Sequence, residues 1–199
     1  MFKVSDLVVY PSYGVARITS EIVKKIDTCE VVFFELNFIS KDVKVLIPKS
    51  SCLNGEIRGL GTKEQVEEIF KDFFLPYEEK WFYNMSLVSW NRRGKEYQLK
   101  IRQGNLFELA KIYKDLRYVE LFKVLSFGEK AILAQVEDLF CEEISFICQE
   151  SLNDVVISVR NFINVIFYKN RYIEHCNVDN NTNFFNFLNN IDNSNVVNQ

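Results

Sequence analysis

Through residue 60 the apolar positions come in short runs separated by turn residues. Leu7 to Tyr10 ends at Pro11, Val15 to Ile18 follows Gly14, Val31 to Phe38 comes next, and Val43 to Ile47 ends at Pro48. β-Branched residues are prominent in these runs, and Gly14, Gly55, Gly59 and Gly61 punctuate them, so the segment predicts a small antiparallel β-barrel. In Val43-Lys44-Val45-Leu46-Ile47 alternation sends Val43, Val45 and Ile47 to one face and Lys44 and Leu46 to the other. With the first face in the core, Leu46 is exposed.

From Thr62 the period becomes helical. Thr62-x-x-Gln65 has the form of a capping box, followed by an apolar stripe at Val66, Ile69, Phe70, Phe73 and Phe74, with Pro76 closing the helix. A second helical stretch runs from about Glu79 to Gln103 and stops at Gly104. A third starts at Asn105-x-x-Glu108 and carries Leu106, Leu109, Ala110, Tyr113 and Leu116. The fourth begins at Ser126-x-x-Glu129, with Ile132, Leu133, Val136, Phe140, Ile144 and Ile147 at helical spacing. Residues 152 to 173 suit a further helix. The expected organisation is α+β, with a β domain at 1–60, an all-α bundle at 61–173 and an Asn-rich, disordered tail at 174–199.

Charge changes the picture once it is counted by segment. The chain carries a net −3, yet residues 88 to 130 hold ten Lys and Arg against five acids, while residues 131 to 199 hold three against nine. The basic charge is local and the acidic end masks it. The N-terminus shows no basic segment followed by an apolar stretch, and Val155 to Tyr168 falls short of the roughly 20 residues a spanning helix needs, so a cytoplasmic protein without membrane contact is expected. Cys29, Cys52, Cys141, Cys148 and Cys176 form no CxxC pair and read as free thiols.

Catalytic chemistry finds few groups to use. His175 is the single histidine, so Ser-His, Cys-His and multi-His metal arrangements have no base or ligand set. Gly55 to Gly61 lacks the GxxxxGK[ST] spacing, which leaves ATP or GTP hydrolysis without a phosphate loop. No enzyme, cofactor, metal or small-molecule substrate is expected. One stretch does suggest chemistry: Ser89-Trp90-Asn91-Arg92-Arg93-Gly94-Lys95 sets three cations within five residues of a Trp. Cations neutralise phosphates, and a flat ring can enter a base step or stack on an unpaired base. A Trp in the core beside a solvated charged face accounts for the same residues equally well.

In order along the chain, Phe2-Lys3-Val4-Ser5-Asp6-Leu7-Val8-Val9-Tyr10-Pro11, Gly14-Val15, Trp90-Asn91-Arg92-Arg93, Lys100 to Leu106, Ala110, Lys114-Asp115-Leu116 and Leu125-Ser126-Phe127-Gly128-Glu129-Lys130 resemble the CarD/CdnL family of transcription regulators over residues 2 to about 150. The resemblance implies a Tudor-like, SH3-like small β-barrel that docks on the β subunit of bacterial RNA polymerase, and a helical domain that touches promoter DNA at the upstream edge of the melted bubble. By matching positions it implies Trp90 as the wedge, with Arg92, Lys95 and Lys130 on phosphates and Arg93 as a weaker contact. It implies Lys24, Lys44 and Leu46 on the polymerase side. Leu46 departs from the family, where an Arg is usual, so an ionic contact there is absent or replaced by an apolar one. A protein adaptor without DNA contact is the alternative, and an ATP-driven translocase lacks both length and phosphate loop.

Overall fold

The computed structural model describes residues 2–27, 29–52, 55–78 and 80–172, so His175, Cys176 and the Asn-rich tail expected to be disordered lie outside the described residues. The architecture is α+β. Five strands, β1 (Leu7–Tyr10), β2 (Gly14–Ile26), β3 (Cys29–Phe38), β4 (Lys44–Pro48) and β5 (Arg58–Gly59), precede six helices, α1 (Lys63–Phe74), α2 (Trp81–Ser86), α3 (Trp90–Gln103), α4 (Leu106–Glu120), α5 (Phe127–Cys148) and α6 (Leu152–Tyr172). The strands form one antiparallel sheet in the order β4-β3-β2-β1-β5. Val8, Ile18, Phe34, Leu36, Phe38 and Ile47 close its core.

The sheet differs from the sequence expectation at β2, which continues eight residues past Ile18 and pairs with β3 down to Ile26↔Cys29. Residues 19–26 carry charges on both faces and bury little; Val23 is 59% exposed. Their strand state comes from the β3 ladder, not from an apolar face, which is why alternation does not reveal it. Thr19 is an extra residue between the pairs Ile18↔Leu36 and Ser20↔Glu35, and its hydroxyl donates to the Glu35 carboxylate at 2.6 Å.

The helices start where the caps predict. Thr62 with Gln65 and Ser126 with Glu129 form reciprocal capping boxes, and the Asn105 side chain accepts from the Phe107 and Glu108 amides. The stripe of α4 is buried throughout, and Cys141 and Cys148 lie in the helical core, where burial pushes their thiols up to about 12 and about 11. The expected helix over residues 79–103 is in fact two, α2 and α3, with residues 87–89 between them and Ser89 extended at ψ 146°. Short α2 buries no residue fully, and its direction is set by aromatic packing. Trp81 stacks on Tyr77 at 4.1 Å and Phe82 on Phe122 at 4.6 Å, which a straight continuation into α3 would not require.

One joint fixes the two domains. Arg58, on β5, donates from Nε to the Gly104 carbonyl at 2.7 Å and from both terminal nitrogens to Glu143 at 2.5 and 2.7 Å; Glu143 also accepts from the Gly61 amide. The neighbouring carboxylate of Glu142 accepts from the Val15 amide at 3.2 Å and fills the space over Gly14. A methyl group on Gly104 would lie 2.8 Å from Pro11, and Gly104 sits at φ +64°, so this junction demands glycine twice over. Arg58→Ala would strand the charge of Glu143, which is 1% exposed, and should cost about 3 kcal/mol, read from the urea denaturation midpoint. Replacing both partners by Leu should recover part of that loss. A single variant as stable as wild type would mean that the joint contributes nothing.

Candidate nucleic-acid interface

Because the helix restarts after Ser89, Trp90 becomes the first residue of α3 and its indole lies across the start of α5. Two glycines make that seat. A methyl group at Gly128 would come within 2.7 Å of Trp90 Nε1, and one at Gly94 within 3.4 Å of the ring. Tyr97 meets the indole edge-on at 6.4 Å and the Arg93 guanidinium stands 5.6 Å over it. Trp90 is thus half-buried, seated on the helical core with part of its ring open.

The groove beside it, about 780 Å³ between α3 and α5, is lined by Trp90, Lys95, Leu99, Arg102, Gly128 and Ile132. Arg92, Lys95 and Lys130 are exposed and enter none of the ion pairs among the described residues. Arg102 joins them. Arg92, Lys95, Leu99 and Arg102 recur at 3-4-3 spacing, a stripe that sequence reading could have extended to Arg102. A half-open ring beside such cations suits an anionic backbone with a flat partner.

Arg93 turns the other way, a correction to its candidacy as a phosphate contact. Its side chain is only 11% exposed; Nε donates to the Val88 carbonyl at 3.2 Å, closing a group left open by the helix break, and Nη2 pairs with Glu129 at 3.3 Å. One position along a helix is a turn of about 100°, enough to separate Arg92 from Arg93. Glu129 is the hub: it accepts from Lys123 at 2.8 Å and from the Ser126 amide at 2.9 Å. Burial disfavours its charge, but Lys123 and the Ser126 cap outweigh that and hold the carboxyl down at about 2. Sequence showed Glu129 as a cap; its tie to Trp90 through Arg93 joins residues 36 apart and is not local.

The polymerase-side candidates share one face. Lys44 pairs with Asn37 and Leu46 with Glu35 across β4 and β3, while Lys24 pairs with Val31 across β2 and β3. Residues 31, 35 and 37 point the same way on β3, so all three candidates occupy the outer side of the sheet. Leu46 is 36% exposed while Ile47 is buried, as the alternation predicts.

Gly128→Ala should keep the fold, since Ala favours a helix by about 1 kcal/mol over Gly, yet must push the indole off its seat. In a Trp81→Phe background its emission should shift red and iodide quenching should rise; an unchanged spectrum would refute the packing. The pH dependence has a definite sign. A carboxyl lowered from 4.5 to about 2 stabilises fully above pH 4.5, and the contribution is lost as pH falls toward 2. Trp90 fluorescence should therefore report loosening over that window in the same background, and Glu129→Gln should be loosened already at neutral pH.

The family description "CarD-like/TRCF RID domain" matches residues 2–61 and "CarD, C-terminal domain" matches residues 83–158, reaching into α6 and slightly beyond the expected limit near 150. YdeB of Bacillus subtilis (strain 168), named as a candidate transcription factor, is 24% identical over 147 residues, covering 74% of this chain and 92% of the relative. With the sheet under the first match and the Trp90 groove under the second, the chain belongs to the CarD family of transcription regulators.

Proposed function

We propose that the chain acts at transcription initiation by gripping the β subunit of RNA polymerase with the outer face of its sheet while the α3–α5 groove holds promoter DNA at the upstream edge of the melted bubble. The observation that carries this reading is Trp90, half-open on two glycines and flanked by Arg92, Lys95 and Lys130, all exposed. Family membership supports the polymerase partner. A ring lodged at the fork resists re-annealing, and phosphate contacts add affinity without reading sequence. Nothing is turned over, so the protein acts by shifting the balance between closed and open complexes toward the state it binds better. Lys24, Lys44 and Leu46 form the polymerase side, with Leu46 offering an apolar contact between basic neighbours.

A protein adaptor without DNA contact is favoured by one observation, the packing of Trp90 against the helical core. The two readings part in a competitor-challenged lifetime assay of open complexes with RNA polymerase. Wild type should lengthen the lifetime, and Trp90→Ala should largely abolish that while still binding polymerase. No lengthening by polymerase-bound wild type would sink the DNA reading and leave the adaptor. Salt adds a second signature: Arg92→Ala, Lys95→Ala and Lys130→Ala should each flatten the slope of log affinity against log salt by about 0.9. Arg93→Gln should leave that slope unchanged and act only by loosening Trp90.

A further inference from the structure

Beside Trp90 the surface is more apolar than its exposure justifies. Phe127, the first residue of α5, is 90% exposed, Val124 in the preceding loop 85%, Leu87 at the α2–α3 corner 67% and Phe122 50%. Lone exposed apolar residues are ordinary, but these belong to two segments held together: Phe122 stacks on Phe82, Arg93 reaches the Val88 carbonyl, and both Arg93 and Lys123 reach Glu129. They form one tip. Phe127 directly precedes Gly128, the residue that seats the indole, so its backbone lies at the edge of the Trp90 seat while its own ring projects into solvent.

Charge identifies the partner. Residues 87–95 and 121–131 contain Arg92, Arg93, Lys95, Lys123 and Lys130 and a single acid, Glu129, which is 1% exposed and already paired with two of those cations. The open cations of this apolar tip are Arg92, Lys95 and Lys130, while the flanking carboxylates Glu96 and Glu120 pair with Lys100 and Arg117, and such a surface, in a chain of net charge −3, is complementary to nucleic acid more than to another apolar protein face. A duplex offers phosphates to such a tip but hides its base faces; melted DNA offers both.

We infer that Phe127 is a second aromatic contact of this interface, stacking on a base that becomes unpaired at the edge of the bubble while Trp90 holds the fork. The inference rests on the DNA reading above and extends it. Two flat groups on one rigid tip engage two exposed ring faces, so the tip distinguishes open from closed DNA with no sequence-specific hydrogen bond. Phe127 is 90% exposed and belongs to neither hydrophobic core among the described residues, so its replacement leaves the fold intact.

The test compares full-length wild type, Phe127→Ala, Phe127→Leu, Phe127→Tyr and Trp90→Ala in open complexes with RNA polymerase holoenzyme. Lifetime after competitor challenge is measured together with crosslinking from a photoreactive phenylalanine analogue placed at position 127. Phe127→Ala should shorten the lifetime at least about fivefold, in keeping with the loss of one base–aromatic stack, with Phe127→Tyr near wild type and Phe127→Leu close to Ala. The analogue should crosslink to a promoter strand in open complexes and not to the same DNA kept closed. Crosslinks to a polymerase subunit would overturn the inference and make the tip a protein contact. A Phe127→Ala lifetime equal to wild type while Trp90→Ala shortens it would also overturn it, leaving the DNA reading in place. No effect of wild type itself would instead remove the DNA reading on which the inference stands.

Discussion

Glu142 and Glu143 sit side by side in the last third of a long helix, 5% and 1% exposed, and a carboxylate that far from water persists as a charge only if donors surround it. Among the described residues the donors to Glu143 are Arg58, on the last strand of the sheet, and the Gly61 amide at the domain boundary, and Glu142 takes the Val15 amide from the sheet. Separating the domains would leave both charges uncompensated. The domains are therefore held at one angle by an electrostatic requirement, with the close approach of Pro11 to Gly104 adding shape to it.

The same helix serves both ends of the molecule. At its start, Gly128 and Glu129 seat Trp90 and fix Arg93; about four turns on, Glu142 and Glu143 hold the sheet. Fifteen residues at 1.5 Å each set roughly 22 Å between the two attachment points. On the proposed reading, α5 is a ruler between the face that meets polymerase and the tip that meets DNA, and its rigidity turns a domain contact into a position on the promoter. The buried stripe at Ile132, Val136, Phe140 and Ile144 is what keeps the ruler in place.

Most of the framework was legible from local pattern, because caps and apolar stripes act within a turn or two. Thr62, Asn105 and Ser126 mark helix starts on their own, and the alternation around Leu46 predicts which face of β4 is open. Features set by distant partners were not. The β2 extension depends on β3, and the break between α2 and α3 depends on aromatic stacks with Tyr77 and Phe122. The site divided along the same line. Trp90, Arg92, Lys95 and Lys130 became candidates through composition and resemblance, whereas the inward turn of Arg93, the contact of Gly128 with the indole and the solvent exposure of Phe127 needed the packing of α3 on α5.

On the proposed reading, the small number of open cations around Trp90 explains why such a protein needs two domains. Arg92, Lys95, Arg102 and Lys130 could neutralise about four phosphates, which in a chain of net charge −3 would make association with DNA weak and salt-sensitive. Tethering changes that arithmetic. A module fixed to polymerase meets the nearby duplex at an effective concentration in the millimolar range, so a contact too weak to find DNA alone is occupied once polymerase is in place. On that reading weakness is useful: the tip would ignore the rest of the genome and act only where polymerase has already chosen the site. A stronger basic surface would lose that dependence, and the acidic residues that dominate the chain after residue 130 work in the same direction.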